Sequence, residues 1–285
     1  MHPSMIINYN SPKELCSFLD SHGLGMRKKY GQNFLINPAI REKLLDALEV
    51  KAGDNVWEIG PGLGAMTQGL LTRDAKVTAF EIDPAFSDIL RELFGKDENF
   101  NLIEGDVLKT WPAIQSDEKC FFLGNLPYNI AATLLGSLIE KKRFFQRMII
   151  TVQREVAQRM MAKSGTKDYS SFTILCNSVY KINPLMIIKG SSFYPIPRVD
   201  SQGLCLDLLS EPKALPKIFT PLVRCLFASR RKTIQNNLFN FIPSVIIKET
   251  LERTGISGSC RAETLEIEDF IRISSVLEEI LNRGQ

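Results

Sequence analysis

A long alternation of short apolar runs and helical segments, from residue 55 to residue 209, constrains the fold of this chain more than any other feature. Such an alternation is typical of an α/β domain, in which a parallel sheet is covered by helices on both faces. Seven strands are predicted, at residues 55–59, 76–82, 100–104, 120–123, 147–152, 182–188 and 203–209. The sequence therefore predicts one α/β domain with a doubly covered, seven-stranded sheet.

Helix signals fill the remaining segments. Ser11 starts a capping-box pattern with Pro12 at the first helical position, which predicts a helix to about residue 20. A second helix is predicted to begin after Asn37-Pro38 and to end at Gly53. Further helices are predicted at 84–94, 130–140, 154–161, 169–180, about 220–237 and 263–281. We therefore expect a domain at 1–210 with an N-terminal helical extension, and a helical domain at 211–285.

Composition excludes several classes of function. The 285 residues are 44% hydrophobic and 24% charged, which is ordinary for a soluble globular protein, and no apolar run approaches the length of a membrane span. We expect a cytoplasmic protein with no membrane partner. The six cysteines are never closer than 20 residues, and the two histidines, His2 and His22, lie outside any motif. A zinc or His-ligated metal site and a His-dependent hydrolase are therefore not expected.

Glycines follow the first predicted strand in the order Gly60, Gly62 and Gly64. Glycine permits a ligand to approach the backbone closely and tolerates positive φ. The spacing differs from the dinucleotide fingerprint, and no Gly-Lys-Ser/Thr phosphate loop follows. The loop therefore favours a nucleoside over a pyrophosphate.

Acidic residues follow the next two strands. Glu81 ends the second strand, 21 residues after Gly60, where a carboxylate can accept both hydroxyls of a ribose. Asp106 follows the third strand, where it can meet an adenine edge. Each acid alone fits a surface or capping role, as Asp83 before Pro84 does. Together with the glycines they favour a nucleoside cofactor at the carboxyl edge of the sheet.

The fourth strand leads into Gly124-Asn125-Leu126-Pro127-Tyr128. Proline disfavours helical backbone at Leu126, so the Leu126 carbonyl should be held beside the Asn125 amide. Two acceptors and an aromatic ring suit a flat heterocycle that carries an exocyclic amine. The alternative interpretation is a tight turn with a buried tyrosine.

Motifs that extend over nearly the whole chain carry a family resemblance. They are Lys28-Lys29-Tyr30-Gly31-Gln32-Asn33-Phe34-Leu35, Glu58-Ile59-Gly60-Pro61-Gly62-Leu63-Gly64, Phe80-Glu81-Ile82-Asp83, Gly105-Asp106, Gly124 to Asn129, Gln153-Arg154-Glu155-Val156-Ala157, Phe193 to Ser201, Arg230-Arg231-Lys232-Thr233 and Arg261-Ala262-Glu263. With these motifs the chain resembles the class I S-adenosylmethionine-dependent methyltransferases. More narrowly, it resembles the bacterial small-subunit rRNA adenine N6,N6-dimethyltransferases and their eukaryotic and mitochondrial relatives.

The resemblance implies a Rossmann-like class I methyltransferase fold and a role for each matching residue. Asn125 would bridge the cofactor and the target amine, the Leu126 carbonyl would be a second acceptor fixed by Pro127, and Tyr128 and Phe193 would sandwich the target adenine. The implied contacts to S-adenosylmethionine are Gln32, Asn33, Leu35, Gly60, Gly62, Glu81, Ile82, Asp106, Val107 and Asn125. Departures from the family pattern at Arg198, Ser229 and Gln235 concern RNA contact.

The implied activity is dimethylation of two adjacent adenines near the 3′ end of small-subunit rRNA, with the rRNA and the pre-30S particle as partners of a monomeric enzyme. Basic triplets at 27–29, 141–143 and 230–232 are candidate RNA contacts, although each also fits a solvated face. Two alternatives stay open: a resistance-type methyltransferase of large-subunit rRNA, and a non-catalytic assembly or transcription factor on the same fold.

Overall fold

The computed structural model describes residues 7–24, 33–114, 119–210 and 215–283. Its strands are β1 Phe34–Leu35, β2 Asn55–Ile59, β3 Lys76–Glu81, β4 Phe100–Glu104, β5 Cys120–Asn125, β6 Arg147–Gln153, β7 Tyr180–Ile188, β8 Phe193–Tyr194 and β9 Ser201–Leu208. Its helices are α1 Pro12–Ser21, α2 Pro38–Leu48, α3 Ala65–Leu71, α4 Pro84–Phe94, α5 Val107–Thr110, α6 Tyr128–Glu140, α7 Arg154–Met160, α8 Ser171–Asn177, α9 Phe219–Leu226, α10 Ile234–Leu238, α11 Ser244–Thr254 and α12 Ile267–Arg283. All seven strands predicted for the sheet are present.

The large sheet has the strand order β4-β3-β2-β5-β6-β9-β7. Strands β2 to β6 pair in parallel, and the chain order reverses between β2 and β5. Open α/β sheets bind ligands at such a reversal, outside the carboxyl ends of the strands. The loops that begin at Gly60, Ile82, Gly105 and Leu126 all leave this one edge.

The predicted parallel sheet is found for β2 to β6, but β9 departs from it and pairs antiparallel with β6. Residues 189–200 join β7 to its neighbour β9 and contain a 3₁₀ turn and β8, but no α-helix. A parallel connection normally uses a crossover helix. The sheet is therefore mixed.

The central strands of the sheet, β2, β3, β5 and β6, are buried on both faces. On one face, Val56 and Leu123 belong to a core cluster with Leu44, Leu45 and Leu48 of α2. On the other face, aromatic rings pack edge to face or tilted, with centroid distances of 4.9–5.2 Å: Trp57, Phe80, Phe122 and Phe145. Burial on both sides explains why these strands are nearly continuous apolar runs.

Segments before the sheet pack against its ligand-binding edge. Ser11 caps α1 by accepting from the backbone N–H of Glu14, as the capping pattern predicts. Leu15 and Leu19 of α1 pack with Leu63 of the glycine loop. Strand β1 pairs antiparallel with β8 in a separate two-stranded sheet. The motif at 33–35 and the motif at 193–194 are therefore neighbours in space.

The bounds of α2, α8 and α12 differ from their predictions. Helix α12 begins at Ile267, and not at 263, because residues Ala262–Thr264 form a separate 3₁₀ turn. Helix α2 ends at Leu48, before Gly53, because Glu49 adopts a left-handed conformation with φ of 57°. Helix α8 occupies Ser171–Asn177 within the predicted 169–180, because Ser170 caps it and Tyr180 already belongs to β7.

The chain divides into two compact units. The first contains Met1–Ser137, Phe144–Ala157 and Asn183–Asp207, and the second contains Leu138–Arg143, Gln158–Ile182 and Leu208–Gln285. The second unit is therefore larger than the segment after residue 211. Of the helices in the described part of the chain, none has the length and apolar character needed to cross a membrane.

The single helix predicted at about 220–237 is wrong. Helix α9 ends at Leu226, and α10 starts only at Ile234, after Thr233 caps it through the backbone N–H of Asn236 at 3.3 Å. Asn237 Nδ2 donates to the carbonyls of Leu226 at 2.8 Å and Ser229 at 3.1 Å, which satisfies the end of α9. The basic triplet at 230–232 consequently lies in a turn.

Candidate functional site

A pocket lies at the carboxyl edge of the sheet, within the first unit. It is lined by the loops after β2, β3, β4 and β5, by β1, and by parts of α1, α2 and α3. Nine of the ten residues predicted to contact the cofactor line it: Asn33, Leu35, Gly60, Gly62, Glu81, Ile82, Asp106, Val107 and Asn125. Residues separated by more than 90 positions in the sequence are therefore brought to one site.

The glycine loop provides an open backbone surface and a tight turn. Gly60 has φ of 68°, and a Cβ built there would meet no atom within 4 Å, so this stretch of backbone faces open space in the pocket. Gly64 has φ of 88°, but a Cβ there would lie 2.4 Å from the ring of Phe94. Gly60 therefore leaves room for a ligand, whereas Gly64 permits close packing of the loop against α4.

Glu81 is a buried carboxylate held by the backbone. Its Oε2 accepts from the N–H of Gly62 at 3.1 Å, and its Oε1 accepts from the N–H of Asp83 at 2.8 Å. Burial raises the pKa of Glu81 to about 7, against the lowering effect of these two hydrogen bonds. Each carboxylate oxygen has a further lone pair that can accept from a ligand hydroxyl.

Glu58 is a second buried carboxylate of the pocket, and the sequence assigned it no role. It accepts a hydrogen bond of 2.7 Å from the hydroxyl of Thr67. Burial raises the pKa of Glu58 to about 7, opposed by this hydrogen bond and reinforced by the charge of Glu81. Two acids whose charged forms are disfavoured therefore lie at one edge of the pocket.

Two further acids at this edge, Asp83 and Asp106, cap helices. Asp83 caps α4 through the backbone N–H of Ala85 at 3.2 Å, as predicted, and is almost fully buried. Asp106 caps α5 through the N–H of Leu108 at 3.0 Å and also lines the pocket. The capping and ligand-facing interpretations of Asp106 are thus compatible.

Asn125, at the end of β5, contacts the segment that precedes α2. Its Nδ2 donates to the backbone carbonyl of Asn33 at 3.2 Å, which leaves its Oδ1 as the acceptor of the side chain. The N–H of Leu126 donates to the carbonyl of Thr151 at 2.8 Å, so this turn is fixed to β6. Gly124 and Pro127 also line the pocket.

Four predicted site residues are not among those that line the pocket. One is Leu126, which is only 3% exposed. Gln32 and the side chain of Tyr128 lie outside the described residues. Phe193 pairs with Leu35 between β8 and β1 and is only 2% exposed, within the core cluster that contains α2. Its ring does not line the pocket, so stacking on a base requires Phe193 to leave this core.

Tyr9 and Arg41 are pocket residues from segments with no recognised motif. The Tyr9 hydroxyl donates to the carbonyl of Leu63 at 2.9 Å, and burial raises the pKa of Tyr9. Arg41 of α2 lies on the buried stripe of that helix, since it precedes Leu44 by three positions and Leu48 by seven. An arginine on the apolar stripe of a helix indicates a buried cation. This pattern can be recognised from the spacing of residues in the sequence, but not from composition.

The residues of the basic triplets differ in whether they already bond to other parts of the protein. Residues 27–29 lie outside the described residues. In the triplet at 230–232, Arg230 donates to the carbonyls of Lys167 and Tyr169 at 2.6 and 3.1 Å and pairs with Glu263 at 2.6 Å. Arg231 and Lys232 are exposed. Arg230 therefore joins segments of the second unit, and its neighbours remain the candidates for phosphate contact.

The strand order and the pocket at the point of reversal define the fold as that of a Rossmann-like methyltransferase. Comparisons with known proteins are specific. The family model described as ribosomal RNA adenine dimethylase matches residues 23–279, and the chain belongs to this family.

The names of individual relatives agree with the description of the family model. A protein of Treponema denticola named ribosomal RNA small subunit methyltransferase A is 43% identical over 280 residues, covering 95% of this chain and 96% of the relative. A protein of the same name from Borreliella afzelii is 43% identical over 275 residues, covering 96% of each chain. The crystal structure of a dimethyladenosine transferase from Plasmodium falciparum has a TM-score of 0.72 and 27% identity, covering 87% of this chain and 97% of the other.

Proposed function

We propose that this protein transfers methyl groups from S-adenosylmethionine to N6 of two adjacent adenines near the 3′ end of small-subunit rRNA, and so forms N6,N6-dimethyladenine. The observation that carries the proposal is the single pocket that unites Asn33, Glu81, Asp106 and Asn125. The family and the names of the relatives support the reaction and the substrate.

The described residues fit the proposed cofactor. The open backbone at Gly60 leaves space for a nucleoside, and Glu81 offers free lone pairs to the ribose hydroxyls. Ile82, Asp106 and Val107 would border the adenine, while Gly62, Asn33 and Leu35 would border the methionine end, together with Gln32. When bound, S-adenosylmethionine supplies an electrophilic methyl group.

Asn125 would orient the attacking nitrogen. The lone pair of adenine N6 is delocalised into the ring, which makes N6 a weak nucleophile. If Asn125 Oδ1 and the Leu126 carbonyl each accept one N6–H, the lone pair turns out of the ring plane. The contact of Asn125 Nδ2 with the Asn33 carbonyl keeps Oδ1 available for this purpose. Orientation and electrostatics then supply the catalysis, and the methylated nitrogen releases its extra proton to water.

Tyr128 and Pro127 would complete the base site, with Tyr128 stacking on the target adenine and Pro127 fixing the Leu126 carbonyl. Phe193 would form the opposite wall only after a change in the packing of β8. Substrate RNA would be held by phosphate contacts, for which Arg231 and Lys232 are exposed, and the second unit would position the rRNA of the pre-30S particle. We place this activity in the cytoplasm, in a monomeric enzyme.

The Asn125→Ala variant tests the mechanism. It removes one of the two acceptors that orient N6, and we expect the rate of methyl transfer to fall by more than about tenfold. The assay measures transfer of labelled methyl groups from S-adenosylmethionine to small-subunit particles that lack the modification.

The matched control is Asn101→Ala, which removes an exposed asparagine of β4 and should leave the rate unchanged. A second comparison is binding of S-adenosylmethionine to both variants, which separates loss of cofactor from loss of orientation. Transfer at the wild-type rate by Asn125→Ala would refute the assigned role.

A further inference from the structure

Arg41 is a buried cation with neutral partners. Arg41 is only 8% exposed, and it lines the pocket. Nη1 donates to the Leu35 carbonyl at 2.7 Å, and Nη2 donates to Oδ1 of Asn10. The guanidinium carbon lies 6.0 Å from the centroid of the Tyr9 ring. These contacts fix the guanidinium group in one orientation.

The charge of Arg41 is not balanced by an ion pair. Within the part of the chain that the structure describes, Arg41 makes no salt bridge, whereas other arginines such as Arg73 and Arg147 each pair with two carboxylates. Burying a cation without a directly paired counter-ion is costly, since the group loses its hydration. Burial accordingly lowers the pKa of Arg41, against the opposing effects of the charge of Glu42 and of Tyr9.

The distribution of charge in the pocket also indicates that Arg41 is available to an anionic ligand. Among the described residues that line it, Arg41 is the one basic side chain, while Glu58, Glu81 and Asp106 are acidic. A guanidinium has five N–H donors, of which the two contacts to Leu35 and Asn10 use two. The remaining donors are suited to an anionic group, and to a carboxylate in particular.

We propose that Arg41 binds the α-carboxylate at the methionine end of the cofactor. The proposal rests on the proposed function, because it assumes that S-adenosylmethionine occupies this pocket. Leu35, whose carbonyl Arg41 holds, and Asn33 of the same segment are the residues expected at that end. Arg41 thereby confers specificity for a ligand with an intact amino acid over an adenosyl ligand that lacks the carboxylate.

The test compares two ligands that differ in one group. Isothermal titration of the full-length wild-type protein with S-adenosylmethionine and with decarboxylated S-adenosylmethionine should give a preference of at least about tenfold for the carboxylate. In Arg41→Gln, which keeps amide donors and removes the charge, the preference should disappear. Arg41→Lys keeps the positive charge but lacks the two parallel N–H donors of the guanidinium, so part of the preference should return.

Lys43→Met is the matched control. Lys43 is an exposed cation on the same helix, so its removal changes the net charge equally and should leave the preference intact. If Arg41 only joined Asn10 to Leu35, Arg41→Gln would weaken both ligands by the same factor and the preference would persist, which overturns the proposal.

The wild-type protein alone also provides a decisive outcome. Equal affinity for the two ligands overturns the assignment of Arg41 while leaving the proposed function in place. Failure of the wild-type protein to bind S-adenosylmethionine at all overturns the proposed function itself.

Discussion

Glu58 and Glu81 show how single residues set the electrostatics of the pocket. Both carboxylates are 3% exposed, and burial raises the pKa of each to about 7. A carboxylate that stays ionised at neutral pH in such a place destabilises the unliganded protein. Hydrogen bonds from a bound ligand would favour the ionised form, so the acids are better suited to the liganded state than to the empty one.

This arrangement predicts the pH dependence of stability. An acid whose pKa is raised on folding keeps its proton in the native state at pH values where the unfolded chain has released it. Stability therefore falls as pH rises between 4.5, the ordinary value for glutamate, and about 7. Glu58→Gln removes this titration while keeping an acceptor for Thr67. Relative to wild type, the variant should gain on the order of 2 kcal/mol between pH 5 and pH 7.5 in the absence of ligand.

Urea unfolding at the two pH values measures this gain. Glu92→Gln, at an exposed position of α4, serves as the control and should show no such change relative to wild type. A difference between Glu58→Gln and wild type that stays constant from pH 5 to pH 7.5 would contradict the assignment of a raised pKa.

At the scale of elements, the turn between α9 and α10 separates two roles within one basic triplet. Arg230 bonds to residues 167 and 169 and to Glu263, so it stabilises the second unit. Arg231 and Lys232 have exposed side chains on the same turn.

Variants of this turn should therefore behave differently. Arg230→Gln removes charge-assisted hydrogen bonds to carbonyls and should lower the free energy of unfolding by about 1–2 kcal/mol. The effect is limited to this range because Arg230 is partly exposed and solvent screens its charge. Arg231→Gln should leave stability within about 0.5 kcal/mol of wild type. It should also lower the salt dependence of RNA binding by about one unit of slope, if the residue contacts a phosphate. Thermal unfolding and RNA titrations at several salt concentrations measure both. Equal loss of stability in the two variants would contradict the division of roles.

Elements differ in how well their sequences predict them. The seven strands of the sheet fall within two residues of their predicted ends. For the central strands β2, β3, β5 and β6 the reason is burial on both faces, which requires short, nearly continuous apolar runs. The helix expected at 220–237 shows the limit of periodicity. Its apolar stripe continues through Phe227, but Thr233 and Asn237 offer the backbone side-chain hydrogen bonds that end one helix and start another. The direction of β9 depends on its partner strand, which local pattern does not reveal.

At the scale of the whole molecule, the pocket illustrates which parts of a site a sequence can predict. Gly60, Glu81 and Asp106 were predictable because each follows a parallel strand, and parallel strands end at a common edge. The contact of Asn125 with Asn33 joins residues 92 positions apart and depends on tertiary packing. The burial of Phe193 beside β1 likewise follows from the pairing of β1 with β8. Strands of two residues are too short to show a periodic pattern in the sequence.

Arg41 lies between these cases. Its place on the buried stripe of α2 could be read from the spacing to Leu44 and Leu48. That the stripe borders the pocket at this point required the fold. The match to the family model extends over residues 23–279 and therefore includes residues of both units.

The central claim is the identity of the methylated nucleotides. The most direct measurement incubates the protein and labelled S-adenosylmethionine with unmodified small-subunit particles, and separately with unmodified large-subunit particles, and then maps the modified bases by mass spectrometry of RNA fragments. We expect N6,N6-dimethyladenine at two adjacent positions near the 3′ end of the small-subunit rRNA. Label on a large-subunit adenine, or a product that stops at monomethyladenine, would contradict it.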